Sequence, residues 1–202
     1  ALQHFQEVHS YSSMLMGLFN IYNLTAAIAA VHMTTDKSLD KICEVVEDFA
    51  GVSGRMETIS ENPYIIVDFA HTPDGMKEVF ESFTHKDIIV VFGAGGDRDK
   101  EKRPLMGRVA SNYAKHIIVT SDNPRFEDPD MIIEDILKGI KSHKSVEVEI
   151  NRKEAIKKAI AMADENSVVL ILGKGDESTQ TIYDKKFPFS DKEEVLKVLN
   201  KE

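Results

Sequence analysis

The sequence predicts an α/β fold: a doubly wound, mostly parallel sheet, preceded by a short helical segment. Three observations carry this. Beyond residue 63, five strand-like apolar runs alternate with four helical stretches, the pattern that builds parallel sheets through helical crossovers. One of those runs leads through a glycine-rich, highly charged turn, VFGAGGDRDKEKRPLM at residues 91–106, into a helix, and open α/β sheets place their ligands at such strand ends. Before this pattern begins, GVSGRMETISENP at residues 51–63 interrupts a helical one, which sets a domain boundary at about residues 52–63.

Residues 1–17 are mixed, and the alternation of Phe5, Val8 and Tyr11 reads as the tail of a strand. Residues 20–33, NIYNLTAAIAAVHM, carry apolar side chains at helical spacing with several alanines, which predicts a closely packed helix. A second amphipathic helix is expected over 39–49, capped by Ser38 or Asp36 and closed near Gly51. Cys43 falls on its apolar face, as a core residue rather than a nucleophile. The strand-like runs that follow are residues 64–70, 88–92, 116–120, 146–150 and 167–172. Helices are expected between them at 74–83, 102–113, 129–140 and 152–164, with a last one at 192–200.

In a parallel sheet the carboxyl ends of these strands line one rim, and there the unusual residues gather. One strand ends in Asp68-Phe-Ala-His-Thr-Pro-Asp74, the next in the loop from Gly93 to Arg103, the third in Ser121-Asp-Asn-Pro-Arg125 and the last in Gly173-Lys-Gly-Asp-Glu177. Gly93, Gly95 and Gly96 would allow positive φ and close approach to a ligand. The planar forks of Arg98 and Arg125 suit carboxylates, so an acidic small molecule is expected. Asp68 could bond ribose hydroxyls, while His71 could orient a phosphate, stack near a base or only brace the loop. Gly173 and Gly175 give backbone access, Lys174 either bridges to a carboxylate or is solvated, and Glu177 suits an amino group.

Composition narrows the function. Over 202 residues a formal charge of −9 argues against a nucleic-acid surface, and no run approaches the length of a membrane span. The single cysteine excludes an internal disulfide, and the histidines lack metal-ligand spacing, so no protein-built metal site is expected. Neither a GxGxxG fingerprint, a Walker A loop nor a Gly-x-Ser-x-Gly elbow occurs. The chain begins Ala-Leu-Gln, which reads as a fragment or processed form.

Taken together, Phe19-Asn-Ile-Tyr-Asn23, Gly54-Arg-Met-Glu57, Asp68-Phe-Ala-His-Thr-Pro-Asp74, Gly95-Gly-Asp-Arg-Asp99 with Lys102-Arg-Pro-Leu-Met106, Asp122-Asn-Pro-Arg125 and Gly173-Lys-Gly resemble the C-terminal part of a Mur ligase. The likeness is to the group that adds the third amino acid to the peptidoglycan precursor. It implies that residues 1–59 end a central ATPase domain and that residues 60–202 form a Rossmann-like amino-acid-binding domain. The P-loop and a carbamylated lysine that helps hold Mg2+ would lie upstream, and the fragment alone should not catalyse. ATP would phosphorylate the carboxylate of a UDP-linked muramoyl dipeptide, and the amino group of a diamino acid would attack the acyl phosphate. Asn23, Arg55 and Asp68 would contact the adenosine of ATP with His71 close by. Arg98, Asp122, Asn123, Pro124, Arg125, Gly173 and Glu177 would hold the amino acid. No catalytic residue is assigned within the chain. The intact enzyme is expected to be a cytoplasmic monomer with small-molecule partners and neither nucleic-acid nor membrane contacts.

The Asp-Asn-Pro-Arg form resembles that of enzymes selecting meso-diaminopimelate, whose distal carboxylate would pair with Arg125. Two departures bear on the substrate: Asp176 stands where many such enzymes have histidine, and Ser178-Thr179 replaces an acidic-aromatic pair. A lysine-adding ligase and a non-catalytic binding module that lost its ATPase half are the alternatives. The apolar faces within the first 60 residues are expected to leave hydrophobic surface exposed.

Overall fold

The computed structural model describes residues 2–4, 7–141 and 145–200. It divides into two compact units, residues 1–51 and 52–202. No helix among the described residues is long and apolar enough to cross a membrane.

In the first unit, short strands β1 (Leu2–His4) and β2 (Glu7–His9) pair antiparallel, and helices α1 (Leu18–Thr34) and α2 (Leu39–Glu47) follow. Phe5 lies outside the described residues, Val8 is on β2, and Tyr11 lies past the strand with its hydroxyl 2.8 Å from Thr25 Oγ1. Ser38, rather than Asp36, caps α2 by accepting from the Lys41 amide. Ile28, Leu39 and Ile42 form the small core, with Cys43 buried as expected. The Cys43 thiol is pushed up by burial and then by the nearby charges of Asp40 and Glu47, which suits a packing role. Leu18, Ile21, Tyr22, Val31 and Met33 of α1 are exposed.

The second unit is a six-stranded sheet in the order β3-β4-β8-β5-β6-β7. Its strands are β3 (Glu57–Glu61), β4 (Tyr64–Asp68), β5 (Asp87–Phe92), β6 (His116–Val119), β7 (Ser145–Val148) and β8 (Ser167–Leu172). Only β3 is antiparallel; β4, β8, β5, β6 and β7 run parallel, as the strand and helix alternation predicts. The crossovers are α3 (Pro73–Glu81), α4 (Lys102–Tyr113), α5 (Pro129–Leu137) and α6 (Arg152–Ala161), and the chain closes with α7 (Asp191–Leu199). Ile65, Val67, Ile89, Val91, Ile118, Val169 and Ile171 face α6 and α7 in one core cluster with Ala155, Ile156, Ala159 and Val195. The residues alternating with them point to the other face, where Met76, Phe80, Met106, Ala110 and Ile136 of α3, α4 and α5 are buried. Central β8 is apolar on both faces and wholly buried from Ser167 to Leu172, as strands flanked on both sides must be.

Two elements lie outside the sequence expectations. β3 is a half-polar edge strand, ETISE, concealed between the turn residues of 51–56 and Pro63. After β8 comes a hairpin of β9 (Thr179–Ile182) and β10 (Lys185–Pro188), mostly exposed and without a glycine or asparagine at its turn. This hairpin stands at the rim.

Candidate amino-acid site

Four loops meet at the carboxyl ends of β4, β5, β6 and β8. At the end of β4, Asp68 is buried and accepts amides from Met56 at 2.8 Å and Ala70 at 2.7 Å. Burial raises its pKa, opposed by those two N–H groups and by the charges of Arg55 and His71. The next residue, Phe69, has the Arg55 guanidinium 4.2 Å from its ring centroid and the His71 ring edge-on at 4.7 Å. His71 Nδ1 donates to the Phe69 carbonyl at 2.9 Å. Thr72 caps α3 and Pro73 starts it, so the loop ends in a rigid helix entry.

The glycines after β5 serve close approach, and not the positive φ that their type invites. Left-handed backbone occurs instead at Asp97 (φ 53) and Arg125 (φ 51). A Cβ on Gly93 would collide with the Thr120 carbonyl oxygen, and one on Gly96 with that of Pro124. The β5–α4 and β6–α5 loops therefore lie backbone on backbone, joined by Gly96 N to Asn123 O at 2.9 Å. Arg103, fully buried, locks the pair: its guanidinium donates to both oxygens of Glu127 at 2.9 and 3.0 Å and to Asp135 at 3.1 Å. Asp97 N donates to Glu127 Oε1 at 2.6 Å. The Glu127 carboxyl is held down to about 2, chiefly by the Arg103 hydrogen bonds.

In the third loop, Arg125 Nη1 donates to the Gly96 carbonyl at 2.7 Å. Its backbone is stitched into the hairpin: Arg125 N donates to Thr181 O at 3.2 Å, and Tyr183 N donates to Arg125 O at 2.7 Å. Gly173 (φ 116) and Gly175 (φ 56) turn the fourth loop sharply after β8. Lys174 between them is fully buried, so the solvated alternative is excluded. It donates to Glu177 Oε2 at 2.8 Å, Thr179 O at 2.8 Å and Asn123 Oδ1 at 3.3 Å. Burial works upward on Glu177, yet Lys174, Asn123 and the Arg125 charge together hold its carboxyl below the ordinary range.

Between the loops is a cavity of about 260 Å³. Of the residues singled out in the sequence, His71, Gly93, Gly95, Arg98, Asp122, Arg125, Gly173 and Glu177 line it. Asp68, Asn123 and Pro124 are buried and lie outside the lining, and Arg55 stacks on Phe69, which belongs to the lining. Asn23 is on α1 in the other unit, exposed, with its Nδ2 3.4 Å from Asn20 Oδ1. Phe69 and Lys102 also line the cavity without having been assigned a role from sequence. Lys102 donates to the His71 carbonyl at 3.0 Å, and desolvation lowers its pKa. Its signal was available, as one of the cations crowded after Asp97; that of Phe69 was only its place beside Asp68. Asp176 is exposed and is not part of the lining.

The cavity thus offers guanidinium groups to carboxylates and carboxylates to ammonium groups, the layout for a zwitterion. Comparison with known proteins gives the family. The Mur ligase, glutamate ligase domain matches residues 54–175. The UDP-N-acetylmuramoyl-L-alanyl-D-glutamate–2,6-diaminopimelate ligase of Wolinella succinogenes is 54% identical over 94% of this chain and 44% of its own length. The enzyme of the same name from Helicobacter hepaticus is 52% identical over 94% of this chain and 41% of its own. A solved structure of a UDP-N-acetylmuramoyl-L-alanyl-D-glutamate–2,6-diaminopimelate ligase superposes with a TM-score of 0.73 at 37% identity, covering 95% of this chain and 40% of that one. The chain spans less than half the length of each of these relatives. Because the matched domain covers more than half of the chain, taking in the first three rim loops, the start of the fourth and the sheet beneath them, the chain belongs to the Mur ligase family.

Proposed function

We propose that this chain is the amino-acid-binding portion of an ATP-dependent ligase that joins meso-diaminopimelate to UDP-N-acetylmuramoyl-L-alanyl-D-glutamate in peptidoglycan synthesis. The observation that carries this reading is the cavity's charge layout. Arg98, Lys102 and Arg125 supply cations, and Asp122 and Glu177 supply carboxylates, in one space of about 260 Å³. A diamino acid with a carboxylate at each end can satisfy both signs, whereas lysine would leave one cationic partner unpaired. The relatives' names support the same substrate. The position of Asp176 outside the lining supports it too, since its departure from histidine then need not alter the cavity.

In this reading Arg98 and Arg125 bind the two carboxylates, with Asn123 and Pro124 shaping the loop behind Arg125. Gly173, Asp122 and Glu177 surround the ammonium groups. ATP forms an acyl phosphate on the dipeptide's carboxylate, and the bound amine attacks its carbonyl carbon, expelling phosphate. The chain's contribution is orientation of the amine and exclusion of water. Asp68, Arg55 and His71 are assigned to the adenosine part of ATP, around a Phe69 ring that carries the Arg55 guanidinium on its face and meets the His71 ring edge-on. The Mg2+ that the family resemblance implies is assigned mainly to the upstream part of the enzyme. That enzyme is read as a cytoplasmic monomer.

Calorimetric titration of the 202-residue chain with meso-diaminopimelate, L-lysine and the Arg125→Ala variant tests this. Binding of diaminopimelate alone, lost in the variant, is expected. Preference for lysine would overturn the substrate, and silence with both would refute a complete amino-acid pocket within this chain.

A further inference from the structure

Lys174 is the one buried lysine among the described residues, and it stands directly behind a cavity wall. Its three N–H donors are matched to three acceptors on different parts of the rim: Glu177 Oε2, the Thr179 carbonyl and Asn123 Oδ1. Asn123 Oδ1 also accepts from the Thr181 amide at 2.8 Å. With two donors on its oxygen, the Asn123 amide can only point its Nδ2 away, and it donates to Glu177 Oε2 at 2.9 Å. Both bonds to Glu177 therefore fall on the same carboxylate oxygen. Among the described residues Oε1 carries no hydrogen bond, and Glu177 lines the cavity.

Burying a lysine charge against a carboxylate open to the cavity is a costly way to brace a loop, because an apolar side chain of similar volume stabilises as well or better. What an apolar residue cannot do is choose which oxygen of Glu177 is occupied or which way Asn123 faces. We propose that Lys174 is a positioning residue of the amino-acid pocket, holding Glu177 and the Asn123 amide in one arrangement before ligand arrives and reserving Glu177 Oε1 for a ligand ammonium group. This rests on the reading of the cavity as an amino-acid site. It makes Glu177 a pre-aimed acceptor, so that no side-chain freedom is lost there on binding.

Lys174→Met removes the ammonium while keeping the buried stem. The charged groups around Glu177 are Lys174 on its own loop, Arg125 and Asp122 after β6, Arg98 and Lys102 after β5, His71 after β4, and Arg152 on α6. Removing Lys174 leaves burial less opposed, so the Glu177 titration midpoint, read by carbon NMR of its carboxyl, should rise by about one unit or more. Diaminopimelate binding, by calorimetry on the same chain, should weaken about 10- to 100-fold, while the melting temperature falls less than when a wholly buried pair is broken, because the Glu177 left behind is open to the cavity. A variant with the parent's affinity and the parent's Glu177 midpoint would overturn the proposal, as would a loss of melting temperature with both left in place, which marks a structural brace. If the parent chain binds no diaminopimelate, the substrate reading fails and the Glu177 midpoint alone decides: unmoved by Lys174→Met, it refutes the positioning role; raised, it supports it. Should Lys174→Met not fold, Lys174→Gln is read in the same way. Should neither fold, a parent Glu177 midpoint at or above that of an ordinary glutamate overturns it.

Discussion

Arg152 and Asp191 offer the sharpest energetic test of how the rim is supported. Both side chains are fully buried, Arg152 Nε and Nη2 meet the two Asp191 oxygens at 2.7 and 2.8 Å, and Nη2 also reaches the Leu172 carbonyl at 3.0 Å. Arg152 Nη1 is buried with no partner among the described residues, so the guanidinium has no spare acceptor to fall back on. Asp191→Ala strands this charge, which costs about 3–5 kcal/mol when one member of a buried pair is removed. For a chain of this length that is a fall in melting temperature of roughly 6–20 °C. Replacing both, as Arg152→Met with Asp191→Leu, removes the charge with its partner and should cost within about 1 kcal/mol of nothing. Urea and thermal unfolding of the parent, the two single variants and the double variant would close the cycle, with hydrogen exchange at residues 167–172 reporting the strand concerned. A cost below about 1 kcal/mol for Asp191→Ala, the range of solvated pairs, would refute the desolvation argument, as would single-variant costs that simply add.

Three further outcomes follow from the rim. Gly96→Ala forces a methyl group into the Pro124 carbonyl oxygen and should destabilise by about 1–3 kcal/mol while weakening diaminopimelate binding, both measurable on one sample. Glu127 has a folded-state pKa of about 2 against an ordinary 4.5. A depressed carboxylate contributes fully above the higher value, and the contribution is lost as pH falls from there towards 2; Glu127→Gln should therefore flatten the acid decline in melting temperature across that window. Tyr183→Pro removes the amide that donates to Arg125 O and cannot adopt φ 54, so it should loosen Arg125 and narrow the affinity ratio of diaminopimelate over lysine.

The parallel sheet was legible because its strands are buried on both faces and so read as unbroken apolar runs, 88–92 and 167–172 above all. β3 was not, since an edge strand needs only one apolar side chain, here Ile59, to join the core. The hairpin of β9 and β10 escaped for the same reason: exposed on its outer strand, it has no burial pattern to betray it. At the site, charge was readable and geometry was not. Arg98, Asp122, Arg125 and Glu177 could be singled out by chemistry, but nothing in their order says that Asn123 turns inward to Glu177 and Lys174. Glycine type likewise signalled freedom of φ at Gly93 and Gly96, where the need is for absent side chains between two backbones.

The position of β8 has a consequence for biosynthesis. It is the last strand of the six-stranded sheet in chain order, yet it lies between β4 and β5. Until residues 167–172 emerge, the strands made earlier keep two apolar edges open, each bare of its hydrogen-bonding neighbour. The sheet therefore cannot close until β8 has been made, and its formation waits on contacts between distant parts of the chain, the slow class of folding step. A nascent chain arrested before Leu172 would expose the surfaces most prone to pair with another copy, so completion of the last strand is also the event that ends the risk of aggregation.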